Sequence, residues 1–291
     1  MTLASLSLVV LASFVHAGWN LLAKRAASVG PIFVFAYNLV ACLAYAPWVG
    51  YLMAQDGIGW TLTGIGFLLL SGMIHLAYSL TLQRGYQVAD LSVVYPVARG
   101  TGPMLSTVGA FLILGEAPSA VRVAGLGLVV AGIVMIATQG KMRAFTEPGG
   151  QAGIRWGTAT GGLIAAYTVT DAYAVKALGI APVVLDWFSN LLRFFLLLPL
   201  VLANPRRAMA AMRGHWWSAL GVGLLSPLSY ILVLMALTGG APLSIVAPMR
   251  EMSMMVGALM GMVILREPVG RWRLAGCGVL IAGVVALSTS G

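Results

Sequence analysis

The chain has 291 residues, of which 60% are hydrophobic and 9% charged, against about 25% charged in an ordinary soluble domain. Seventeen basic and eight acidic residues cannot clothe a protein of this size in polar surface. A soluble globular fold, a nucleic-acid binder and a disordered chain are therefore excluded, and the net charge of +9 fits basic residues left in the loops of a membrane protein.

A membrane helix needs about 20 mostly apolar residues. In chain order, ten stretches qualify: 2–23, 31–54, 61–82, 91–114, 120–139, 156–177, 181–203, 217–238, 243–265 and 272–290. Polar or helix-breaking clusters separate them, among them Lys24 and Arg25, Gln83 to Gly85, Glu116 to Pro118, the 141–155 segment, Asn204 to Arg207, and Arg266 to Pro268. The runs are continuous rather than alternating, which excludes a β-barrel. The first run has no basic segment before it, so it reads as a span and not as a signal peptide. Loops after odd-numbered stretches, with the stretch ends beside them, hold twelve Lys and Arg, and those after even-numbered ones only Arg122 and Lys176. The positive-inside rule then puts the odd loops in the cytoplasm and both termini on the outer side.

The sequence contains itself twice. At an offset of 152, Lys24 matches Lys176, Asn38 matches Asn190, Pro47 matches Pro199, Tyr78 matches Tyr230, Ser92 matches Ser244 and Pro96 matches Pro248. One deletion later the offset is 151, pairing Arg99 with Arg250, Glu116 with Glu267 and Arg122 with Arg273. Polar matches at a constant offset are far stronger than shared glycines. The expected organisation is a first five-helix repeat over 1–140, a connecting loop over 141–155 and a second repeat over 156–291. An odd number of spans per repeat inverts the second copy, as in many secondary transporters.

These features resemble the drug/metabolite transporter superfamily, in its two-domain EamA branch. The resemblance is carried by the five-plus-five layout and by a signature running from Ser92, Tyr95 and Pro96 to Gly115 and Glu116. It returns at Ser244 and Pro248 through to Glu267, where Arg266 replaces the usual glycine. His16, Trp19 and Asn20 in the first span are also like many members. The resemblance implies a ten-helix all-α membrane fold, two inverted five-helix repeats around a central cavity, often in an exporter. Relatives are linked to amino acids, sugars, nucleotides and drugs.

Ionisable groups inside a span are costly and face a cavity or a partner. Here they are His16, His75, Arg99, Asp171, Asp186, Arg193, Arg250 and Glu251. Arg99 and Arg250 hold equivalent places just past the prolines at 96 and 248, which free carbonyls and bend helices. Two guanidinium forks could grip a carboxylate or phosphonate; the alternative is ion pairing, Arg99 with Asp171 or Arg250 with Glu251. Asp171 and Glu251 are the candidate coupling or ion-pair acids, with a proton as a candidate coupling ion. Asp186 reads as a solvated rim residue.

His16, Trp19 and Asn20 share one helix face and form a candidate cavity wall. His75 and Tyr78 do the same in the third span, with Tyr230 as the repeat mate of Tyr78. Asn38, Asn190, Arg193 and Tyr95 complete the candidate substrate-binding set. Glu116 and Glu267, at span ends, read as caps or loop ion pairs.

Cys42 and Cys277 lie apart in apolar runs and no Cys/His cluster exists, so neither metal nor cofactor is expected. No phosphate-cradling loop and no nucleophile–base spacing is visible, which argues against ATP drive and against an enzyme. The expected partners are a small-molecule substrate and membrane lipid. The expected assembly is a monomer or a weak homodimer. The leading expectation is a metabolite exporter of amino acids or other carboxylate- or phosphonate-bearing solutes; the alternatives are a cationic or hydrophobic drug exporter and a lipid or headgroup flippase.

Overall fold

The structure, a computed structural model, describes residues 1–56, 61–89, 91–147, 149–265 and 270–289. Arg266, Glu267 and Pro268 lie outside them, as do the side chains of Lys24, Ser92 and Met262. The described residues form helices and turns. The first half of the chain folds into α1 (Leu3–Arg25), α2 (Pro31–Asp56), α3 (Leu62–Val88), α4 (Leu91–Leu112) and α5 (Ala120–Thr138). The second half follows as α6 (Gly150–Lys176), α7 (Pro182–Ala203), α8 (Pro205–Ala211), α9 (Trp216–Thr238), α10 (Leu243–Met249), α11 (Met252–Leu265) and α12 (Arg271–Thr289).

Helix starts follow from local chemistry. Thr61 accepts the Gly64 N–H at the start of α3, Ser119 accepts the Arg122 N–H at α5, and Asn204 accepts the Arg207 N–H at α8. Each satisfies a donor that has no partner within its own helix. Pro182 opens α7, where its missing N–H is not needed.

Among the described residues, eight segments are long and apolar enough to cross a membrane: α1, α2, α3, α5, α7, α9, α12 and the stretch Leu243–Met260. Large apolar side chains such as Leu11, Phe14, Leu43, Leu69, Phe195, Leu200 and Ile281 stand exposed along these helices. In water such a surface would aggregate, whereas hydrocarbon tails accept it. The chain is a helical membrane protein.

Two of the ten expected stretches, 91–114 and 156–177, fall short of that apolar standard. They fold as α4, 22 residues, and α6, 27 residues, long enough to span. Their composition differs: α4 carries Arg99, Thr101, Ser106 and Thr107, and α6 carries several threonines and Asp171. These two helices pack against each other through small residues. A Cβ added at Gly153, Gly157 or Gly161 of α6 would lie 2.7 Å from Val93, Val97 or Thr101 of α4, respectively. A second seam joins α5 to α12, where a Cβ on Gly132 would sit 2.8 Å from the Gly276 carbonyl oxygen. In both seams glycine lets backbones approach to a distance that any side chain would forbid.

The ninth expected stretch, 243–265, is interrupted. Pro248 has no N–H to continue the ladder, and α10 ends at Met249. The backbone then tightens. The Glu251 N–H donates to Pro248, the Ser253 N–H to Arg250 and the Met254 N–H to Glu251, each three residues back instead of four. Arg250 and Glu251 occupy that break. Pro96, the repeat mate of Pro248, leaves α4 continuous.

Candidate substrate site

The polar side chains inside the helices gather into three clusters. The first joins α1, α4 and the break between α10 and α11. Arg99 Nε lies 3.1 Å from Glu251 Oε2, and Arg250 Nε lies 3.9 Å from Glu251 Oε1. Glu251 is 1% exposed, so its charge is removed from water and held between two guanidinium groups. An Arg99 terminal nitrogen donates to Ser253 Oγ at 3.2 Å and lies 3.4 Å from His16 Nε2. Its guanidinium also stands over the Tyr95 ring at 5.8 Å, a cation–π distance. His16 meets Trp19 edge to face at 4.7 Å, and Trp19 Nε1 donates to Ser229 Oγ on α9.

Arg250 differs from Arg99. Neither Nε makes a hydrogen bond, but the Arg250 side chain makes none to any described residue, whereas an Arg99 terminal nitrogen reaches Ser253 and His16. Arg250 is nevertheless buried, with the residue 5% exposed. Its electrostatic neighbours are Tyr167, Glu251, Tyr230 and Arg99. Two arginines against one carboxylate leave this cluster with a surplus positive charge.

The second cluster joins α3, α6 and α9. Asp171 is fully buried. Its Oδ2 accepts the Tyr230 hydroxyl at 2.6 Å and lies 3.0 Å from His75 Nε2. Its Oδ1 has no partner. Aromatic rings surround this carboxylate: His75 stacks on Tyr167 at 4.0 Å and meets Tyr230 edge-on at 5.4 Å. Tyr167 in turn contacts Tyr78 at 5.6 Å and Tyr230 at 6.0 Å. The expectation that Asp171 pairs with Arg99 is corrected. The break at Pro248 presents Glu251 to Arg99 instead, and Asp171 finds a histidine and a tyrosine.

The third cluster lies on α7 alone. Asn190 Nδ2 donates to Asp186 Oδ2 at 2.8 Å, and an Arg193 terminal nitrogen donates to Asn190 Oδ1 at 2.9 Å. Residues at i, i+4 and i+7 share one helix face, so the amide links an acid to a base. All three are buried. Asp186 is thus no solvated rim residue: it sits one turn inside α7, against Asn190. Asn38 and Asn190, repeat mates in the sequence, have different surroundings. Asn38 is fully buried and neither amide atom has a hydrogen-bond partner. Asn20 donates to its own helix, to the His16 carbonyl at 2.9 Å, so it adds little to a cavity wall.

Near the helix ends, Glu116 ties the α4–α5 loop to the start of α10. It accepts the Leu243 N–H at 2.6 Å, the Ser244 N–H at 3.0 Å and the Ser244 hydroxyl at 2.6 Å, with Lys176 Nζ at 3.4 Å. The cap and the loop ion pair expected of this acid are the same contact. Burial pushes the Glu116 carboxyl up, but the bonds from Ser244 and Leu243 and the Lys176 charge outweigh it. The group is held below its ordinary value.

Ser229, Ser253 and Tyr167 also belong to the site. Tyr167 is visible in the sequence as a polar neighbour of Asp171, four residues away on α6. Ser253 lies three residues past Arg250, but no sequence signal connects it to Arg99, 154 positions away.

The structure is thus a multi-helix membrane protein that buries charged and aromatic groups between its helices. Residues 3–138, α1 through α5, match the EamA-like transporter family, whose members are transporters and not enzymes. A curated relative, the multidrug resistance protein EbrB of Bacillus subtilis (strain 168), is 35% identical over 77 residues. Those residues are 26% of this chain and 61% of EbrB, so the chain spans about three fifths of that protein. One solved crystal structure superposes with a TM-score of 0.76 over 99% of this chain and 96% of the other, at 14% identity. At that identity the likeness is one of fold.

Proposed function

We propose that the protein is a secondary transporter that moves a small solute bearing a carboxylate or phosphonate, amino acids included, out across the bacterial inner membrane. In this reading ten helical units span: the eight apolar segments plus the polar helices α4 and α6. Residues 1–140 and 156–291 are inverted five-helix repeats, joined by 141–155 and enclosing a central cavity. The helix contacts support the duplication. α1 packs on α9 and α3 on α6, and α4 packs on α6 and α1 on α11; each pair of contacts exchanges when the two halves exchange. Alternating access follows from such a repeat, because the inward-open and outward-open states are two solutions of one packing problem. The excess of Lys and Arg in the odd-numbered loops supports an outer location for both termini in this reading.

One observation carries the binding reading: the buried side chain of Arg250 makes no hydrogen bond to any described residue, its Nε included, and its one ion-pair contact, to Glu251, is long at 3.9 Å. Burying polar N–H groups without partners is costly. A planar fork with five donors matches an oxyanion, which it can hold bidentately. Glu251 sits closer to Arg99, at 3.1 Å, than to Arg250, at 3.9 Å, which leaves Arg250 the less satisfied of the two and the one to meet the solute.

The test is thermal unfolding of the detergent-solubilised protein against carboxylates, phosphonates, amino acids and organic cations. A ligand that binds the native state raises the melting temperature by mass action. The reading predicts stabilisation by anionic or zwitterionic solutes, lost in Arg250→Ala. Stabilisation by cations alone would refute it. That outcome would favour a second reading, a cationic drug exporter, which the partial likeness to a multidrug resistance protein and the aromatic surroundings of Asp171 support.

A further inference from the structure

The charge balance of the two central clusters extends the proposed anion-binding role of Arg250, on which the dipolar site described below rests. Arg99 and Arg250 against Glu251 leave one positive charge over. Asp171, beside an imidazole and a phenol, leaves one negative charge over when His75 is neutral. The clusters are adjacent: α10, at whose end Arg250 stands, packs against α6 and α9, the helices that carry Asp171, Tyr167 and Tyr230. The opposite surpluses do not neutralise each other directly, because among the described residues Asp171 makes no ion pair with an arginine; its close contacts are to His75 and Tyr230. A buried, uncompensated charge on each side of one aromatic wall is expensive for an empty protein. A solute carrying both signs would relieve both.

We propose that Asp171, with His75 and Tyr230, is the ammonium-binding pole of a dipolar site whose anion-binding pole is Arg250, so that the transported solute is a zwitterion and not a simple anion. Two independent features point to a ligand at the acidic pole. Asp171 Oδ1 is buried without a donor, although Oδ2 of the same carboxylate has two neighbours. The rings of His75, Tyr78, Tyr167 and Tyr230 form the aromatic surroundings that favour an ammonium over water. Tyr230 donates its hydroxyl to Asp171, which fixes the carboxylate and leaves Oδ1 for an N–H donor. The pairing also gives selectivity. An anion lacking the amine leaves Asp171 unpartnered, and a cation lacking the acid group leaves Arg250 unpartnered.

The experiment compares matched solutes on one skeleton with the wild-type protein in detergent, by isothermal titration calorimetry. One set is 3-aminopropanoate, propanoate and propylamine; the other is 2-aminoethylphosphonate, ethylphosphonate and ethylamine. The zwitterion in each set should bind about tenfold or more tighter than its deaminated analogue. In Asp171→Asn that ratio should fall to about one, with the affinity of the deaminated analogue retained. Equal affinity of zwitterion and deaminated analogue, both weakened in Arg250→Ala, would overturn this inference and leave the anion-binding reading intact. Binding of the amine alone as tightly as the zwitterion would overturn both. The wild-type comparison depends on no variant, so a poorly folding Asp171→Asn does not remove the test.

Discussion

Replacing Glu251 with glutamine is expected to destabilise the protein more than replacing either arginine beside it. Glu251 Oε2 is 3.1 Å from Arg99 Nε and Oε1 is 3.9 Å from Arg250 Nε. With an effective dielectric constant of about 20, unit charges at those separations attract by about 5 and about 4 kcal/mol. Desolvation offsets much of both attractions, so these are gross figures. Removing the shared partner strands two buried guanidinium groups, which costs about 3–5 kcal/mol. Arg99→Met instead leaves Arg250 and Glu251 as a balanced pair, and should cost less than about half of that. The assay is denaturant unfolding of the detergent-solubilised protein at neutral pH, read by tryptophan fluorescence. The reasoning is refuted if Arg99→Met costs as much as Glu251→Gln, or if Glu251→Gln costs under about 1 kcal/mol.

Glu116→Ala strands the Leu243 and Ser244 N–H groups at the start of α10 and should cost about 1–3 kcal/mol in the same assay. Because the folded carboxyl is held below its ordinary value by those donors and Lys176, its contribution is complete above the unfolded carboxylate pKa. It is lost as pH falls through the lowered folded value. The acid limb of the wild-type stability profile should therefore flatten in Glu116→Gln, and an unchanged limb would contradict the capping geometry. In the α4–α6 seam, Gly157→Ala would set a methyl 2.7 Å from Val97 Cβ and should cost about 1–3 kcal/mol by overpacking. Gly162→Ala, on the same helix with nothing within 4 Å of the new Cβ, should be neutral or slightly stabilising, and equal losses at both positions would show that the seam is not tight.

Much of this site is legible in the chain, for identifiable reasons. Charges inside apolar runs stand out because hydrocarbon makes them rare, so Arg99, Asp171, Arg250 and Glu251 are visible as candidates. Which acid meets which base is not visible. That pairing depends on three helices meeting and on a backbone break after Pro248 that presents Glu251 to both arginines. The rim position expected of Asp186 fails because distance from a helix end along the sequence does not reveal what packs over that end. Here α7 packs against α2 and α3, Trp187 donates to the Cys42 carbonyl on α2, and Asp186 is buried. Asn20 has the right spacing for a cavity wall, but a short amide can bond its own helix as readily as a solute. The polar character of α4 and α6 hides in the composition. Their glycines, serines and threonines lower the mean hydropathy, yet the same small residues form a close interhelical seam.

Transport by the purified protein in sealed liposomes tests the central claim most directly. Vesicles preloaded with an unlabelled amino acid or with 2-aminoethylphosphonate should accumulate the labelled form from outside by counterflow. The accumulation should be lost in Arg250→Ala vesicles holding equal amounts of folded protein. Counterflow unaffected by Arg250→Ala, or no counterflow above protein-free vesicles for any carboxylate- or phosphonate-bearing solute, would contradict the account.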